Sequence, residues 1–346
     1  MTRKLLALAL ALGAGGYARG QGIVRFANDS TSGINAPFYD ADGVTRLAGS
    51  TFRAALYWGP FDSPPEVWSQ AGPGSAFVNN GFWMSGDRML PVPGGLSVWL
   101  QVRFWDSQNG TYAYYEQAEA NGAKVGISKP ILVVLNPPPT VTPMTGLQSA
   151  SVVPTITLSR GMPGIVTDSS TVANGTQLTN LCGTRVGLNR WFRLTSPYAG
   201  ETLVTTTGSS IDTVMSAYTG SIISPGSLTL LTCNDDRGPG VTESEVRFAV
   251  EANKLYLLCV AGKNGATGTI RLNHTLLTNL AIRRSDLGRI ELSWPADASN
   301  FVAEANSQFP PDWRSITNTP VAVGSRNIVE RDCSDRHELF RLRLRN

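Results

Sequence analysis

Charged residues are scarce in this chain of 346 amino acids. Asp, Glu, Lys and Arg make up only 16% of the sequence, and the formal net charge is +3. Recognition of nucleic acid or of an acidic membrane surface usually needs a strongly basic face, which so small an excess of positive charge does not provide. The composition therefore predicts that the partner is not a nucleic acid.

Histidine is scarcer still, and its scarcity limits the classes of enzyme to consider. His274 and His337 are the two histidines of the sequence, and both lie in strand-like contexts. A serine or cysteine hydrolase needs a base, which is most often His, and neither G-x-S-x-G nor H-E-x-x-H is present. Acid chemistry could proceed without His, but it needs two carboxylates held in a cleft. We therefore predict that the protein is not an enzyme.

No apolar run reaches the roughly 20 residues that a transmembrane helix requires. The N-terminus begins with the basic "MTRK", continues with the short apolar run "LLALALALGAGG", and then offers the small residues "ARG". This order is typical of a secretory signal peptide. We expect cleavage near Gly20, a secreted or cell-surface protein, and no membrane span.

Cysteine is also rare, and its spacing does not suggest zinc or redox chemistry. The four cysteines, Cys182, Cys233, Cys259 and Cys333, form no C-x-x-C pair. Export would permit disulfides, and four cysteines allow three pairings. We favour Cys233 with Cys259, because both lie near the ends of strand-like segments of one predicted domain.

What the sequence does contain is turn residues and alternating segments. Its 35 Gly and 21 Pro are typical of short strands joined by many turns. In "LSVWLQVRFW", Leu96 to Trp105, apolar residues recur at every second position, which predicts a half-buried strand. One segment, "YAYYEQAEANG", predicts a short helix that ends at Gly122. The fold class we predict is all-β, with three consecutive antiparallel β-sandwich or jelly-roll-like domains.

The three consecutive prolines in "NPPPTVTP" cannot join a central strand and favour a stiff spacer. We therefore place a domain boundary there. The predicted organisation is a signal peptide (1–20), an N-terminal β-sandwich (21–136), a proline-rich linker and connecting segment (137–164), a central β-sandwich (165–277) and a small C-terminal β-module (278–346).

The central segment carries several motifs in a recognisable order, from about Arg190 to Leu272. They are Trp191-Phe192, then Pro197 and Gly200, Asp212-Thr213-Val214 before Tyr218, Asn234-Asp235-Asp236, and the closing Gly262, Asn264, Gly265 and Gly268. This segment resembles the bacterial pre-peptidase C-terminal (PPC) domain family. The resemblance implies a β-sandwich or jelly roll on a secreted protein. Some such domains bind calcium, and some aid attachment to polymeric substrates. Nothing upstream looks like the peptidase that often accompanies them.

Four oxygen-bearing side chains of this segment are candidate calcium ligands: Asp212, Asn234, Asp235 and Asp236. Ca²⁺ takes about 6–8 oxygen ligands, and a site is possible if the two loops meet at one end of the sandwich. The alternative is that these residues cap turns through local hydrogen bonds. The expected cofactor is therefore none, or a structural calcium.

Tryptophan is concentrated in the first predicted domain, and Trp99 and Trp105 lie on the strand face opposite the apolar row. They could form a platform for sugar rings, or they could anchor a domain interface. The function we predict is an exported, non-enzymatic binding or structural protein that contacts an extracellular polymer, matrix or protein. The alternative is a carbohydrate-binding module or a cryptic glycan hydrolase in the N-terminal domain. An exposed row of Trp would favour glycan binding, whereas a cleft with two facing carboxylates would favour hydrolysis.

Overall fold

The structure, a computed structural model, describes residues 20–78, 80–161, 163–223, 225–284, 289–308, 310, 312–332 and 338–345. The predicted signal peptide, except for Gly20, lies outside these residues, as do Cys333 and His337. Within the described ranges, no helix combines the length and the apolarity that crossing a bilayer would need.

Short strands dominate the chain, and they form three pairs of facing sheets that we call the N-terminal, central and C-terminal units. The N-terminal unit contains β1 (Gln21–Ala27), β2 (Gly49–Pro60), β3 (Ser69–Gln70), β4 (Ser75–Phe77), β5 (Met84–Pro93), β6 (Ser97–Asp106), α1 (Tyr115–Ala120), β7 (Val125–Ile127), β8 (Ile131–Val134) and β9 (Thr142–Pro143), with 3₁₀-helices at Ser30–Ser32 and Pro65–Val67. The central unit contains β10 (Thr155–Thr157), β11 (Gly164–Ser169), β12 (Asn180–Leu181), β13 (Thr184–Thr195), β14 (Gly200–Thr205), β15 (Thr213–Thr219), β16 (Thr229–Asn234), β17 (Glu245–Val250), β18 (Tyr256–Lys263) and β19 (Thr269–Leu276), with a 3₁₀-helix at Pro225–Ser227. The C-terminal unit contains β20 (Ala281–Arg284), β21 (Ile290–Pro295), β22 (Phe301–Asn306), β23 (Arg314–Ser315), β24 (Val321–Val323), β25 (Arg326–Arg331) and β26 (Leu339–Leu344).

Most neighbouring strands are antiparallel, and this confirms the predicted all-β fold class. In the N-terminal unit a sheet in the order β5-β1-β9 faces a sheet in the order β3-β2-β6-β7, to which β4 and β8 are added. In the central unit the order β10-β13-β18-β15-β16, with β12 on β13, faces the order β11-β19-β14-β17. The C-terminal unit pairs β20-β21-β25-β24 with β23-β22-β26.

Each unit has its own apolar core, and a further core lies between the first two units. Phe26, Leu56 and Phe104 lie between the two N-terminal sheets, and Phe192 and Leu258 lie between the two central sheets. The additional core, which we call the middle core, joins the six-stranded sheets of the N-terminal and central units. Its members include Tyr57, Trp105, Tyr115, Ile127, Trp191, Ile222, Leu257 and Cys259. The four sheets of these two units are therefore stacked in layers.

Strand β6 was expected to be half-buried, and this expectation is wrong. Its second face carries Gln101 and Arg103, which are 2% and 1% exposed. The polar groups are satisfied in the interior: Arg103 donates to Glu116 at 2.9 Å and to the carbonyl of Pro65 at 2.8 Å. From Leu100 to Trp105 the strand is buried on both faces. The central unit and α1 cover the face on which Gln101 and Arg103 suggested contact with solvent.

The segment 137–164, which we predicted to be a linker, contributes strands to both units. Strand β9 pairs in parallel with β1, and β10 pairs in parallel with β13. Between them, Ser151 is buried and accepts a hydrogen bond of 2.7 Å from Arg190 of the central unit. The segment is exposed over residues 137–140 and packs against both units from Thr142 onward. The predicted domain boundaries themselves stay a prediction.

The favoured disulfide pairing is wrong. Cys182 bonds to Cys233, with their Cα atoms 5.5 Å apart, while Cys259 is a free thiol buried in the middle core. Cys233 and Cys259 both lie opposite Ser216, on the two strands that flank β15. Two strand spacings, about 10 Å, separate them, which is too far for a disulfide, because that bond needs Cα atoms within about 7 Å of each other. Burial raises the pKa of the Cys259 thiol well above its ordinary value.

Candidate functional site

The acidic loops of the central unit meet at one end of its sandwich. Asp212 directly precedes β15, and Asp235 and Asp236 directly follow β16, which is the neighbour of β15 in the sheet. One carboxylate oxygen from each of the three residues lies within 4.8 Å of the others. The sheet register therefore brings together three of the four predicted calcium ligands.

Lys263, at the end of β18, places its ammonium group among these carboxylates. Its Nζ lies 2.8 Å from Asp235 Oδ2, 3.5 Å from Asp236 Oδ2 and 4.0 Å from Asp212 Oδ2. The hydrogen bond from Lys263 to Asp235 raises the pKa of the lysine. Partial burial raises the pKa of Asp212, an effect that Lys263 opposes and the two neighbouring carboxylates reinforce. We call these four residues the acidic cluster.

Asn234 is not part of the acidic cluster. Its side-chain amide donates to the carbonyl of Asp236 at 3.1 Å, and its Oδ1 accepts from the backbone N–H of Glu245 at 2.9 Å. Both ends of the side chain are thus used to hold the turn after β16. For this residue the turn-capping alternative is correct.

The acidic cluster satisfies some requirements of a calcium site and conflicts with one. Carboxylate oxygens suit a hard cation, and Asp212 Oδ1 and Asp235 Oδ1 are buried without a hydrogen-bond partner. However, the Lys263 ammonium already stands where a cation would have to bind. The residues fit calcium only when Lys263 moves aside, so calcium binding stays a prediction.

Trp105 cannot belong to a glycan platform, and that part of the prediction is wrong. Its side chain is 0% exposed and lies in the middle core. The indole N–H donates to the carbonyl of Tyr112 at 3.0 Å. Trp105 instead anchors the junction of two units, which was the alternative interpretation of these tryptophans.

Trp99 lies on the same face of β6 but at its other end, where the central unit does not cover the sheet. Its indole N–H donates to the carbonyl of Phe61 at 2.9 Å, which fixes the ring. The rings of Phe61 and Trp99 are nearly parallel, with an angle of 5° between their planes and 6.5 Å between their centroids. The ring of Trp68 stacks on Trp99 on the buried side, with an angle of 16° between the two ring planes and 6.4 Å between their centroids. It can do so because Gly59 has no side chain: a Cβ there would lie 2.0 Å from Trp68 Cδ1.

Two residues of β8 enlarge this face. Leu132 pairs directly with Trp99, and Val134 pairs with Ser97, so both side chains point to the face of Trp99. Phe61, Leu132 and Val134 are 60%, 44% and 61% exposed, and Trp99 is partly exposed. We call Phe61, Trp99, Leu132 and Val134 the aromatic surface. The exposure of Leu132 and Val134 could not be predicted from the sequence run "ILVVL", because continuous apolar residues are also typical of a fully buried strand.

His274 lies in β19, where its imidazole packs against Gly164. Burial lowers the pKa of this side chain, and its Nδ1 atom has no hydrogen-bond partner. The acidic cluster is built around a lysine rather than around this histidine.

Comparisons with known proteins add little. No family model matches the chain, and no curated protein matches it. Among solved structures, the chain is similar to tripeptidyl peptidase 2 at 13% identity, over 75% of this chain and 19% of that one, with a TM-score of 0.22. It is also similar to the VP2 subviral particle of infectious bursal disease virus at 13% identity, over 70% of this chain and 75% of that one, with a TM-score of 0.17. The chain thus spans about a fifth of the peptidase, and scores this low carry no argument about fold or function.

Proposed function

We propose that this protein is an exported, non-enzymatic binding protein that contacts an extracellular polymer, matrix or protein. The observation that carries the proposal is the aromatic surface. Phe61, Leu132 and Val134 are exposed and Trp99 is partly exposed on one face of the sheet that contains β6, while Gln101, Arg103 and Trp105 on that face are buried. Contiguous exposed apolar side chains are typical of interaction surfaces.

Two further features support the proposal. The Cys182–Cys233 disulfide suits an oxidising compartment, in agreement with the predicted signal peptide. The resemblance of the central unit to PPC domains points the same way, because some members of that family help secreted proteins attach to polymers. The near-parallel rings of Phe61 and Trp99 would suit a ligand with flat apolar faces, as sugar rings have.

The test is a binding screen of the mature chain against glycans and matrix polymers. We expect at least one polymer to bind, and Phe61→Ser and Leu132→Ser to weaken that binding about tenfold or more. Ile165→Ser is the matched control, because Ile165 is an exposed apolar residue of β11 in the central unit. The proposal fails if no polymer binds, or if the control weakens binding as much as the other two variants.

The same polymers test the non-enzymatic part of the proposal. After incubation with the protein, each polymer is assayed for new reducing ends or new chain ends. We expect none above the level seen with a heat-denatured sample. Cleavage that depends on the folded protein would favour the glycan hydrolase alternative.

A further inference from the structure

A cleft of about 490 Å³ opens between the N-terminal and central units. This volume lies in the range of small-ligand sites, about 300–1,000 Å³, and such sites often form where domains meet. One wall consists of α1 and the turn after it, with Glu116, Glu119 and Asn121. The other wall comes from the central unit and includes Ser221 and Asn253.

The charges in and behind the cleft balance. Glu116 is paired with Arg103 at 2.9 Å and accepts a hydrogen bond of 3.0 Å from Tyr57. Arg193, which also lines the cleft, donates to the carbonyls of Ala123 at 2.7 Å and Glu119 at 3.0 Å. Its positive charge is therefore held by backbone oxygens close to the Glu119 carboxylate. Two carboxylates and two guanidinium groups make the site formally neutral, which favours an uncharged ligand over an ion.

The cleft nevertheless offers several hydrogen-bonding groups. Both carboxylate oxygens of Glu119 accept from Ser221 Oγ at 3.1 Å, which leaves lone pairs for further donors. The side-chain amide of Asn253 has no hydrogen-bond partner among the described residues. Asn253 lies in a turn with φ 62°, in the left-handed region, and is exposed at the cleft.

The floor of the cleft is apolar. Ile222 and Leu257 belong to the middle core and are 1% and 2% exposed, and Leu255 lies beside them. A site with donors and acceptors on its walls and aliphatic carbons below suits a ligand with hydroxyl groups around an apolar ring face.

We infer that this cleft is a saccharide-binding site, in which Glu119 and Asn253 bind hydroxyl groups of an uncharged oligosaccharide and the partly exposed Leu255 contacts the C–H face of a sugar ring. The inference does not depend on the aromatic surface, because Phe61 and Leu132 do not line the cleft.

The test measures binding of a panel of uncharged oligosaccharides to the mature chain by calorimetry. Asn253→Gly removes the free amide while tolerating the positive φ. We expect it to weaken binding at least fivefold without changing the melting temperature. Asn264→Gly is the matched control, because Asn264 is an exposed asparagine with φ 53° at a turn outside the cleft.

Three outcomes would overturn the inference: no binding by any oligosaccharide of the panel, unchanged affinity in Asn253→Gly, or an equal loss in Asn264→Gly. Phe61→Ser separates this inference from the proposed function. That variant should keep its affinity for short oligosaccharides in the cleft even if it loses binding to the polymer.

Discussion

At the scale of a single residue, we predict that Lys263 determines whether the acidic cluster binds a metal ion. Its ammonium group stands among three carboxylates, two of which keep an unpartnered buried oxygen. Replacing it by methionine leaves these carboxylates without a counter-charge. Like charges held this close repel each other, and a divalent cation would relieve the repulsion.

We therefore expect calcium to raise the melting temperature of Lys263→Met by about 5 °C, since a ligand that binds only the native state stabilises by mass action. Thermal melts with calcium and with EDTA measure the effect. The wild type should shift less than the variant, because its ammonium competes with the ion. Lys254→Met, which removes an exposed lysine paired with Glu251, is the control. Equal calcium shifts in wild type and Lys263→Met would contradict the interpretation.

Glu119 provides a second residue-scale prediction, on the dependence of stability on pH. Burial raises the pKa of its carboxyl, the hydrogen bond from Ser221 and the charges of Arg193 and Arg103 oppose this, and Glu116 reinforces it. Tyr115, whose own pKa is raised mainly by burial, also faces the group. A raised pKa means that the folded protein holds this proton to higher pH than the unfolded chain does. Its contribution to stability is therefore complete below the unfolded value, about 4.3, and falls as pH rises through the folded value.

Glu119→Gln removes this titration while keeping a side chain that can hydrogen-bond to Ser221. The wild type loses the contribution of Glu119 as pH rises from 4 to 7, and the variant does not. We therefore expect the free energy of unfolding of the variant, relative to that of the wild type, to be higher at pH 7 than at pH 4. Urea unfolding at both pH values measures the difference in free energy of unfolding. Glu201→Gln, on an exposed position of β14, serves as control. A difference between Glu119→Gln and wild type that is the same at both pH values would rule out the proposed titration.

The residues also show where sequence reasoning stops at this scale. Asp212, Asp235 and Asp236 could be selected because hard oxygen ligands next to strand ends are visible in the sequence. Lys263 could not, because its role depends on β18 lying next to β15 in the sheet. Trp99 and Trp105 look equivalent in the sequence, because both lie on the same face of one strand. Only the structure shows that the central unit covers Trp105 and leaves Trp99 partly exposed.

At the scale of the element, the disulfide fastens β12 to the end of β16. It closes a loop with a sequence separation of 51 residues. In the chain-entropy description a cross-link of this span stabilises the folded state by about 4 kcal/mol. We expect the double variant Cys182→Ala with Cys233→Ala to lower the free energy of unfolding by roughly that amount. Residual structure in the unfolded chain makes the decrease smaller.

Non-reducing peptide mapping tests the pairing directly and should recover a peptide that joins Cys182 to Cys233. Cys259 should resist alkylation until the protein unfolds, because the thiol is buried. A peptide that joins Cys233 to Cys259 would contradict the structure.

The positions of individual strands and of the short helix were the features that the sequence predicted best at this scale. Alternation in "LSVWLQVRFW" predicted β6, and "YAYYEQAEANG" predicted the short helix that the structure places at Tyr115–Ala120. The burial of β6 on both faces was not predictable, because Gln101 and Arg103 suggest a solvated face. Arg103 can be buried because Glu116 neutralises its charge, the carbonyl of Pro65 accepts a hydrogen bond from it, and its guanidinium carbon lies 4.0 Å from the centroid of the Tyr57 ring.

At the scale of the whole molecule, the middle core joins the N-terminal and central units into four stacked sheets. Large-to-small substitutions in such a core cost about 2–5 kcal/mol. Leu257, 2% exposed in the middle core, contacts the interior from the central side. We expect Leu257→Ala to destabilise both units, because each loses packing when the shared core is weakened.

Hydrogen exchange followed by mass spectrometry measures this, since it reports on peptides of each unit separately. Faster exchange in β2, β6 and β18 together would agree with the prediction. Leu292→Ala, in the core of the C-terminal unit, is the control and should accelerate exchange mainly there. An effect of Leu257→Ala confined to the central unit would contradict the prediction.

The extent of the middle core could not be predicted from the sequence, which indicated a stiff proline spacer between the first two units and suggested an interface only through the alternative role of Trp99 and Trp105. Prolines restrict the backbone locally, but they do not determine whether the sheets on either side pack together. That depends on complementary apolar faces, such as those of Trp105 and Trp191, whose partners lie far apart in the sequence.

The middle core has a consequence for avidity. It includes Ile222 and Leu257 from the cleft, and Trp99 of the aromatic surface packs against its edge. The spacing between the two proposed binding sites is therefore set by side-chain packing and not by a flexible tether. A long chain able to reach both would bind the second point at a high effective concentration, while a chain of the wrong repeat length would gain nothing from it.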